Sequence, residues 1–299
     1  MDPAASTRSG HIALAGVPNV GKSSLLNALV GEHLAIVSPK AQATRLPVVG
    51  LLTRDGIQYV LHDLPGLLEP GYLLQARMRQ AALETLRQMH AVVHLHPAPE
   101  APAPPFAELL GSDAPSARGV PVVTCYTKGD LVSANRRAEL AASGAVVASA
   151  ESGEGLEGLL AVLAPHLPEG PFDYDPDDVG IQPLRFFVVE YLREAAFQNL
   201  GDELPYAFAA EVEEFREDDR PMYIRATLFV ERDSQKGMVV GRGGRTIKAI
   251  GAHARGRIER LTGAPVYLDL WVKVLPKWRR TAAALSRFGF PRAEQESSP

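Results

Sequence analysis

GHIALAGVPNVGKSSLLNALVG, residues 10–31, reads as an apolar strand, a glycine-rich turn and a helix. Within it GVPNVGKS (16–23) matches the pattern G-x-x-x-x-G-K-[ST], in the strand–turn–helix setting that the pattern requires. Gly16 and Gly21 let backbone N–H groups of the turn, Val20 among them, wrap phosphate oxygens, and the following helix N-terminus, entered through Ser23 and Ser24, favours negative charge. Lys22 is placed to reach the β- and γ-phosphates, and the Ser23 hydroxyl to coordinate Mg²⁺. A plain glycine-rich turn is the competing reading.

Working outward, strand-like runs alternate with helical ones as far as residue 166. PVVGLLT (47–53) and IQYVLHD (57–63) flank an Arg54–Asp55–Gly56 turn, the signal for a hairpin. AVVHLH (91–96), VPVVTCY (120–126) and AVVAS (145–149) read as further strands, with helical stretches near 74–89, 133–143 and 155–166. This alternation predicts an α/β fold, a mostly parallel sheet with helices on both faces. PAPEAPAPP (97–105) reads as an extended or flexible loop. Pro, Gly and Asp dominate HLPEGPFDYDPDDVGIQP (166–183), so a first domain is placed at 10–168, a linker at 169–183 and a second domain at 184–290. In the second, a helix (185–200), strands (206–217 and 222–232), two helices about GRGG (241–244, the second covering 245–262) and a strand (266–274) predict the order α-β-β-α-α-β.

Composition limits the function classes. The 299 residues are 46% hydrophobic and 22% charged, as in ordinary globular proteins, and allow about two domains. A single cysteine, Cys125, excludes an intrachain disulfide and a multi-cysteine zinc site. No apolar run reaches the ~20 residues of a membrane span, and the N-terminal residues lack an apolar signal core, so a cytoplasmic location is expected. The net charge of −4 conceals a block of −10 over residues 173–233 and one of +11 over 234–292. The basic block predicts an anionic partner, nucleic acid or a membrane surface, unless it neutralises the acidic one.

Three later segments specify the nucleotide. Asp63–Leu64–Pro65–Gly66 ends a predicted strand, where Asp63 can enter the Mg²⁺ shell and the Gly66 amide can meet the γ-phosphate. Thr127–Lys128–Gly129–Asp130 follows another; there the Asp130 carboxylate can accept both N–H donors on the guanine edge, a donor pair that adenine lacks. Ser149–Ala150 follows a third. Ligands of open α/β sheets bind at such strand ends.

With these motifs in order, the chain resembles a translation-factor-related GTPase and, more narrowly, the Era family, over residues 10–290. The resemblance implies a P-loop GTPase domain followed by an α+β KH domain of prokaryotic type. It places Thr44, in SPKAQATR (38–45), as the switch threonine that binds Mg²⁺ and senses the γ-phosphate, and makes Lys22, Thr44, Gly66 and Asn19 the catalytic set. Asn19 would help hold a K⁺ against the phosphates, which makes K⁺ an expected activator. The chain departs from the family pattern at Thr127, which stands where Asn is commoner, at Ala43, which replaces the first Thr of a T-T-R pair, and in HLHPAPE (94–100), where the strand usually ends V-D-A. Leu67 stands where many GTPases carry a water-orienting Gln, and its side chain cannot orient water.

In the second domain, Gly241–Arg242–Gly243–Gly244 between helices lets a nucleic-acid backbone approach, and Arg242, Arg245 and Lys248 can meet phosphates. Met238, Val239, Val240, Ile247 and Ile250 would floor the groove. WVKVLPKWRR (271–280) adds Lys273, Lys277, Arg279 and Arg280 beside Trp271 and Trp278, with Trp278 as a base-stacking candidate; the competing reading is a core Trp271 and a solvated basic face. The family resemblance implies binding of 16S ribosomal RNA near its 3′ end, help in assembling the 30S subunit, GTP and GDP as ligands, a monomeric state and peripheral contact with the cell membrane. The rival readings are a nucleotide-gated scaffold with little turnover, bound to RNA or a membrane, and a GTPase acting on another RNA such as tRNA. His90, His94 and His96 are read as structural rather than metal-binding, and Cys125 as a buried small residue.

Overall fold

A computed structural model describes residues 7–113 and 119–292. These divide into two compact units: residues up to 35, 44–70 and 78–181 form the first, and 36–43, 71–77 and 182 onward form the second.

The first unit is built on a six-stranded sheet of β1 (Arg8–Ala15), β2 (Val48–Arg54), β3 (Ile57–Asp63), β4 (Ala91–Pro97), β5 (Val122–Thr127) and β6 (Val146–Val147), in the order β2-β3-β1-β4-β5-β6. Only β2 runs antiparallel, as the hairpin turn requires. Central strands covered on both faces must be apolar throughout, and Ile12 to Ala15 of β1 and Ala91 to Val93 of β4 are wholly buried. Helices α1 (Lys22–Val30), α2 (Leu73–Leu86), α3 (Phe106–Leu110), α4 (Ala134–Ala142) and α5 (Leu156–Leu163) intervene.

The second unit contains α6 (Leu184–Asn199), α7 (Leu204–Ala207), β7 (Ala209–Arg216), β8 (Met222–Val230), α8 (Asp233–Val240), α9 (Arg245–Thr262), β9 (Val266–Val274) and α10 (Ala282–Arg287). Its sheet runs β7-β8-β9, with the first pair antiparallel and the second parallel. The expected α-β-β-α-α-β order is present; the short α7 and α10 add to it.

Three expectations need correction. The segment 97–105 is not all loop, because β4 runs on to Pro97 and a 3₁₀ turn covers Ala98–Glu100. The linker 169–183 is no free tether. Gln58, wholly buried, accepts hydrogen bonds from the amides of Asp173 and Tyr174 and donates one to the Tyr174 carbonyl, and the Leu51 amide donates to Val179. Residues up to Ile181 therefore fold with the first unit. Nor are the two units contiguous in sequence, since 36–43 and 71–77 fold with the second.

Candidate functional site

The loops that follow β1, β3, β5 and β6 carry the predicted nucleotide residues, and β1 lies between β3 and β4, where the strand order reverses. This is the position at which doubly wound sheets hold their ligands. Register places Leu14 of β1 beside Asp63 of β3. The Leu64 amide then donates to the Leu14 carbonyl and the Leu67 amide to Gly16, which stitches the D-x-x-G segment onto the phosphate loop. The approach is close: a Cβ on Gly66 would lie 2.7 Å from Pro18 Cγ and 2.9 Å from its nitrogen. Gly21 caps α1 from the left-handed region, φ 94°, which glycine adopts without strain.

Ser23, Thr44 and Asp63 come from α1, the segment before β2 and the end of β3, and their oxygens converge. Ser23 Oγ lies 3.0 Å from Thr44 Oγ1 and donates to Asp63 Oδ2 at 2.6 Å; Thr44 Oγ1 donates to the same carboxylate oxygen at 3.0 Å. Thr44 and Asp63 are both buried. Two hydroxyls and a carboxylate form a hard-oxygen donor set of the kind Mg²⁺ takes beside phosphate oxygens, so the residues fit the ion that the fold implies. When bound, Mg²⁺ neutralises charge between the β- and γ-phosphates.

Lys22 is buried, and its Nζ donates to the carbonyls of Gly16 and Val17 at 3.2 and 2.8 Å. Burial pulls its pKa down to about 8, against the attraction of Asp63. A phosphate chain in the loop would add countercharge to this desolvated ammonium. Asn19, at the loop's exposed tip, has a left-handed backbone (φ 64°), a conformation Asn tolerates better than most residues.

The residues expected to read the base lie on the next two loops. Thr127 Oγ1 donates to the Val20 carbonyl at 2.6 Å, so the threonine ties this loop to the phosphate loop. Asp130 is exposed, and its Oδ1 accepts a 2.5 Å hydrogen bond from Ser149 Oγ. Ser149 is itself held as acceptor by the amides of Glu151 and Ser152. Lys128 has a left-handed backbone, and the Gly129 amide donates to the Ala148 carbonyl, which places Ala150 on the same rim.

Leu67 is 3% exposed and packs with Leu64, Ala82, Leu86 and Phe106. Its side chain faces the core rather than the phosphates. Leu67→Gln is therefore expected to bring no gain in turnover and to lower stability by about 2–4 kcal/mol, from lost apolar burial and an amide without good partners; thermal melting and single-turnover hydrolysis check both halves.

In the second unit, Gly241, Gly243 and Gly244 all have positive φ. A Cβ on Gly241 would lie 2.2 Å from Thr246 Oγ1, whereas one on Gly243 would meet nothing within 4 Å. The turn is closed toward α9 and open outward. Arg242, Arg245 and Lys248 are exposed, Met238 is exposed beside them, and Val239 and Ile250 are buried beneath.

The remaining predicted RNA residues divide. Trp278 is wholly buried: its Nε1 donates to the Ala207 carbonyl at 2.8 Å and its ring meets Phe288 edge-on. It cannot stack on a base, which corrects the expectation. Trp271, core in the competing reading, is 57% exposed. Lys273 pairs with Glu213 at 2.9 Å. Residues alternate along a strand, and α9 packs against Leu270 through Gly251, so Trp271 and Lys273 lie on the sheet face turned away from the glycine turn. Arg279 pairs with Glu231 at 2.6 Å; Lys277 and Arg280 are exposed.

Burial pulls the His94 imidazole down to about 4 and pushes the Cys125 thiol up to about 12, so both are neutral interior groups. Among the described residues no group of three or more His, Cys, Asp or Glu side chains could hold a metal, and no helix is long and apolar enough to cross a membrane.

Strand ends with a glycine-rich loop at one point and an exposed carboxylate held by a serine at another have the layout of a P-loop GTPase, here on one chain with a KH-type unit. Residues 11–128 match the family described as 50S ribosome-binding GTPase, and residues 203–279 match the KH domain. GTPase Era of a Nocardioides species is 40% identical, across 96% of this chain and 98% of its own. GTPase Era of Streptomyces coelicolor is 37% identical, across 95% of each. Two crystal structures, each 31% identical and matching 95% of this chain and 99% of their own, have the same fold: an Aquifex aeolicus Era variant bound to GDP·AlF₄⁻ (TM-score 0.87) and Era with MgGDPNP and nucleotides 1506–1542 of 16S ribosomal RNA (TM-score 0.89). The chain belongs to the Era family of GTPases.

Proposed function

We propose that this chain is a GTP-hydrolysing switch that binds small-subunit ribosomal RNA near its 3′ end through the KH unit and assists assembly of the 30S subunit. The observation that carries the reading is the open glycine turn flanked by exposed Arg242, Arg245 and Lys248 within the +11 block. The matching Era complex with MgGDPNP and a 16S RNA segment supports it. Glycines that clear the way for a backbone, with cations beside them, are what single-stranded RNA requires.

The test is the affinity for an RNA oligonucleotide of the 16S 3′ end, titrated across salt. Binding should weaken steeply with ionic strength. Replacing Arg242, Arg245 and Lys248 together with Gln should flatten the slope of log K against log salt by about 2, at ~0.7 per phosphate contact on a single strand. A flat response in the unsubstituted protein, or equal affinity for an unrelated RNA, would refute the RNA assignment.

GTP would be held by Gly16 to Ser24, Asp63, Gly66, Thr127 to Asp130, Ser149 and Ala150, with Mg²⁺ on Ser23, Thr44 and Asp63. Since the Leu67 side chain cannot orient water, charge stabilisation in hydrolysis falls to Lys22, to the donors around the γ-phosphate and, on this reading, to a K⁺ held with the help of Asn19. Turnover in K⁺ should exceed turnover in equal Na⁺, and Asn19→Asp or Asn19→Ala should change that ratio; equal rates in the two salts would remove K⁺ from the reading.

A further inference from the structure

Helix α6 reads LRFFVVEYLREAAFQN, and Glu190, Arg193 and Glu194 are as buried as the apolar residues around them. A buried ion pair is seldom more stable than a well-packed apolar substitute, so charges kept in such a helix call for a reason other than stability. Their contacts supply one. Arg193 Nη1 donates to Glu190 Oε1 at 2.5 Å, and Nη2 donates to the main-chain carbonyl of Ala43, also at 2.5 Å. Ala43 directly precedes Thr44, which shares the Ser23–Asp63 oxygen cluster. The same stretch is fastened again by Lys40, whose Nζ donates to the carbonyls of Phe197 and Leu200 at the C-terminal end of α6, at 3.0 and 2.7 Å. Those are carbonyls that a helix end leaves without intrahelical donors.

The next residue of α6 faces another way. Glu194 meets Arg257 and His253 of α9, at 3.3 and 3.6 Å. Helix α9 starts at Arg245, directly after the glycine turn. One helix thus holds the segment that leads into Thr44 through Arg193, and the helix that carries the RNA-facing turn through Glu194.

Resting on the function proposed above, we propose that Arg193, set by Glu190, is the positioning residue that makes RNA affinity depend on the bound nucleotide. With Thr44 drawn onto Mg²⁺ and the γ-phosphate, Ala43 presents its carbonyl to Arg193. When the segment is released after hydrolysis, the buried guanidinium loses that acceptor, and Arg193 Nε and Glu190 Oε2 have no hydrogen-bond partner among the described residues to compensate. An under-satisfied buried charge is costly, so α6 and the pair must rearrange rather than relax by degrees, and α9 moves with them. Such a discrete change is what couples two sites.

The experiment uses the full chain and the 16S 3′-end oligonucleotide, with RNA affinity measured in a non-hydrolysable GTP analogue and in GDP. The unsubstituted protein should show a ratio of at least ~5 between the two states, and RNA should change affinity for the analogue, relative to GDP, by the same factor. The double variant Glu190→Leu with Arg193→Met removes both charges together, leaving neither buried alone. Its melting temperature should hold or rise while both ratios fall close to one. Lys40→Met, which leaves the buried pair intact, should lower the ratio in the same direction. A folded double variant that keeps the original ratio would overturn the proposal, as would an unsubstituted protein that binds RNA equally in both states. Absence of RNA binding in every nucleotide state would instead overturn the function on which the proposal rests.

Discussion

Asp130→Asn is expected to weaken GTP binding by about 10²–10⁴-fold and to give the protein affinity for xanthosine triphosphate. The Asp130 carboxylate is exposed on the nucleotide rim and oriented by Ser149. It would accept two hydrogen bonds, from the ring N–H and the amino group of guanine. Charge-assisted bonds of this kind contribute ~1.5–3 kcal/mol each, and two of them give the range stated. Asn keeps an acceptor for the ring N–H but offers a donor where guanine also has one. Xanthine carries a carbonyl there and restores the match. Inosine triphosphate, which lacks only the amino group, should bind the unsubstituted protein with an intermediate loss. Equal weakening of all three nucleotides in the variant would show that Asp130 shapes the loop and does not read the base.

Lys22→Met should move activity and stability in opposite directions. Burial holds the Lys22 pKa near 8, below its ordinary 10.5. The unfolded chain therefore binds more protons than the native one between those values, and native stability rises with pH across that window. Below pH 8 the native state carries the full cost of the buried ammonium, on the order of 3 kcal/mol. Methionine fills similar volume without charge, so the nucleotide-free variant should melt several degrees higher at pH 7, and its stability should lose the rise between pH 8 and 10.5. Hydrolysis should fall by about 10²–10³, the effect of removing one preorganised donor to developing negative charge. Differential scanning fluorimetry across pH and single-turnover hydrolysis measure the two halves. A variant that is no more stable without nucleotide would place the Lys22 ammonium in water rather than in the loop.

Much of this molecule was legible because its decisive elements are local. The strands Ile57–Asp63 and Val266–Val274 and helix Arg245–Thr262 fall where alternation and glycine punctuation put them. The approach of Ser23 to Asp63 follows once their motifs are placed on successive strand ends; Thr44, which lies before β2, was placed by the family resemblance alone. Trp278 was read as a base-stacking residue and is core; for Trp271, left open between core and surface, β9 itself held the signal: Tyr267, Asp269, Trp271 and Lys273 share one strand face, and a face carrying Asp and Lys is a wet one. Nothing local announces that Gln58 will hold Asp173 and Tyr174, or that Ala43 will lie beside Arg193, since these partners are more than a hundred residues apart. The clue to Arg193 was weak but present: three charges on the apolar side of an amphipathic helix.

The passage of residues 36–43 and 71–77 into the second unit has a consequence for how the protein can be dissected. Ile36 and Leu74 are almost wholly buried, and a fragment ending at Ile181 would carry both stretches without the partners they fold against. Cutting the chain at its apparent seam would therefore yield an incomplete half rather than an autonomous enzyme. Exchanging the second unit for a foreign module would face the same obstacle, since residues 36–43 and 71–77 belong to the unit being replaced although they lie within the sequence of the first.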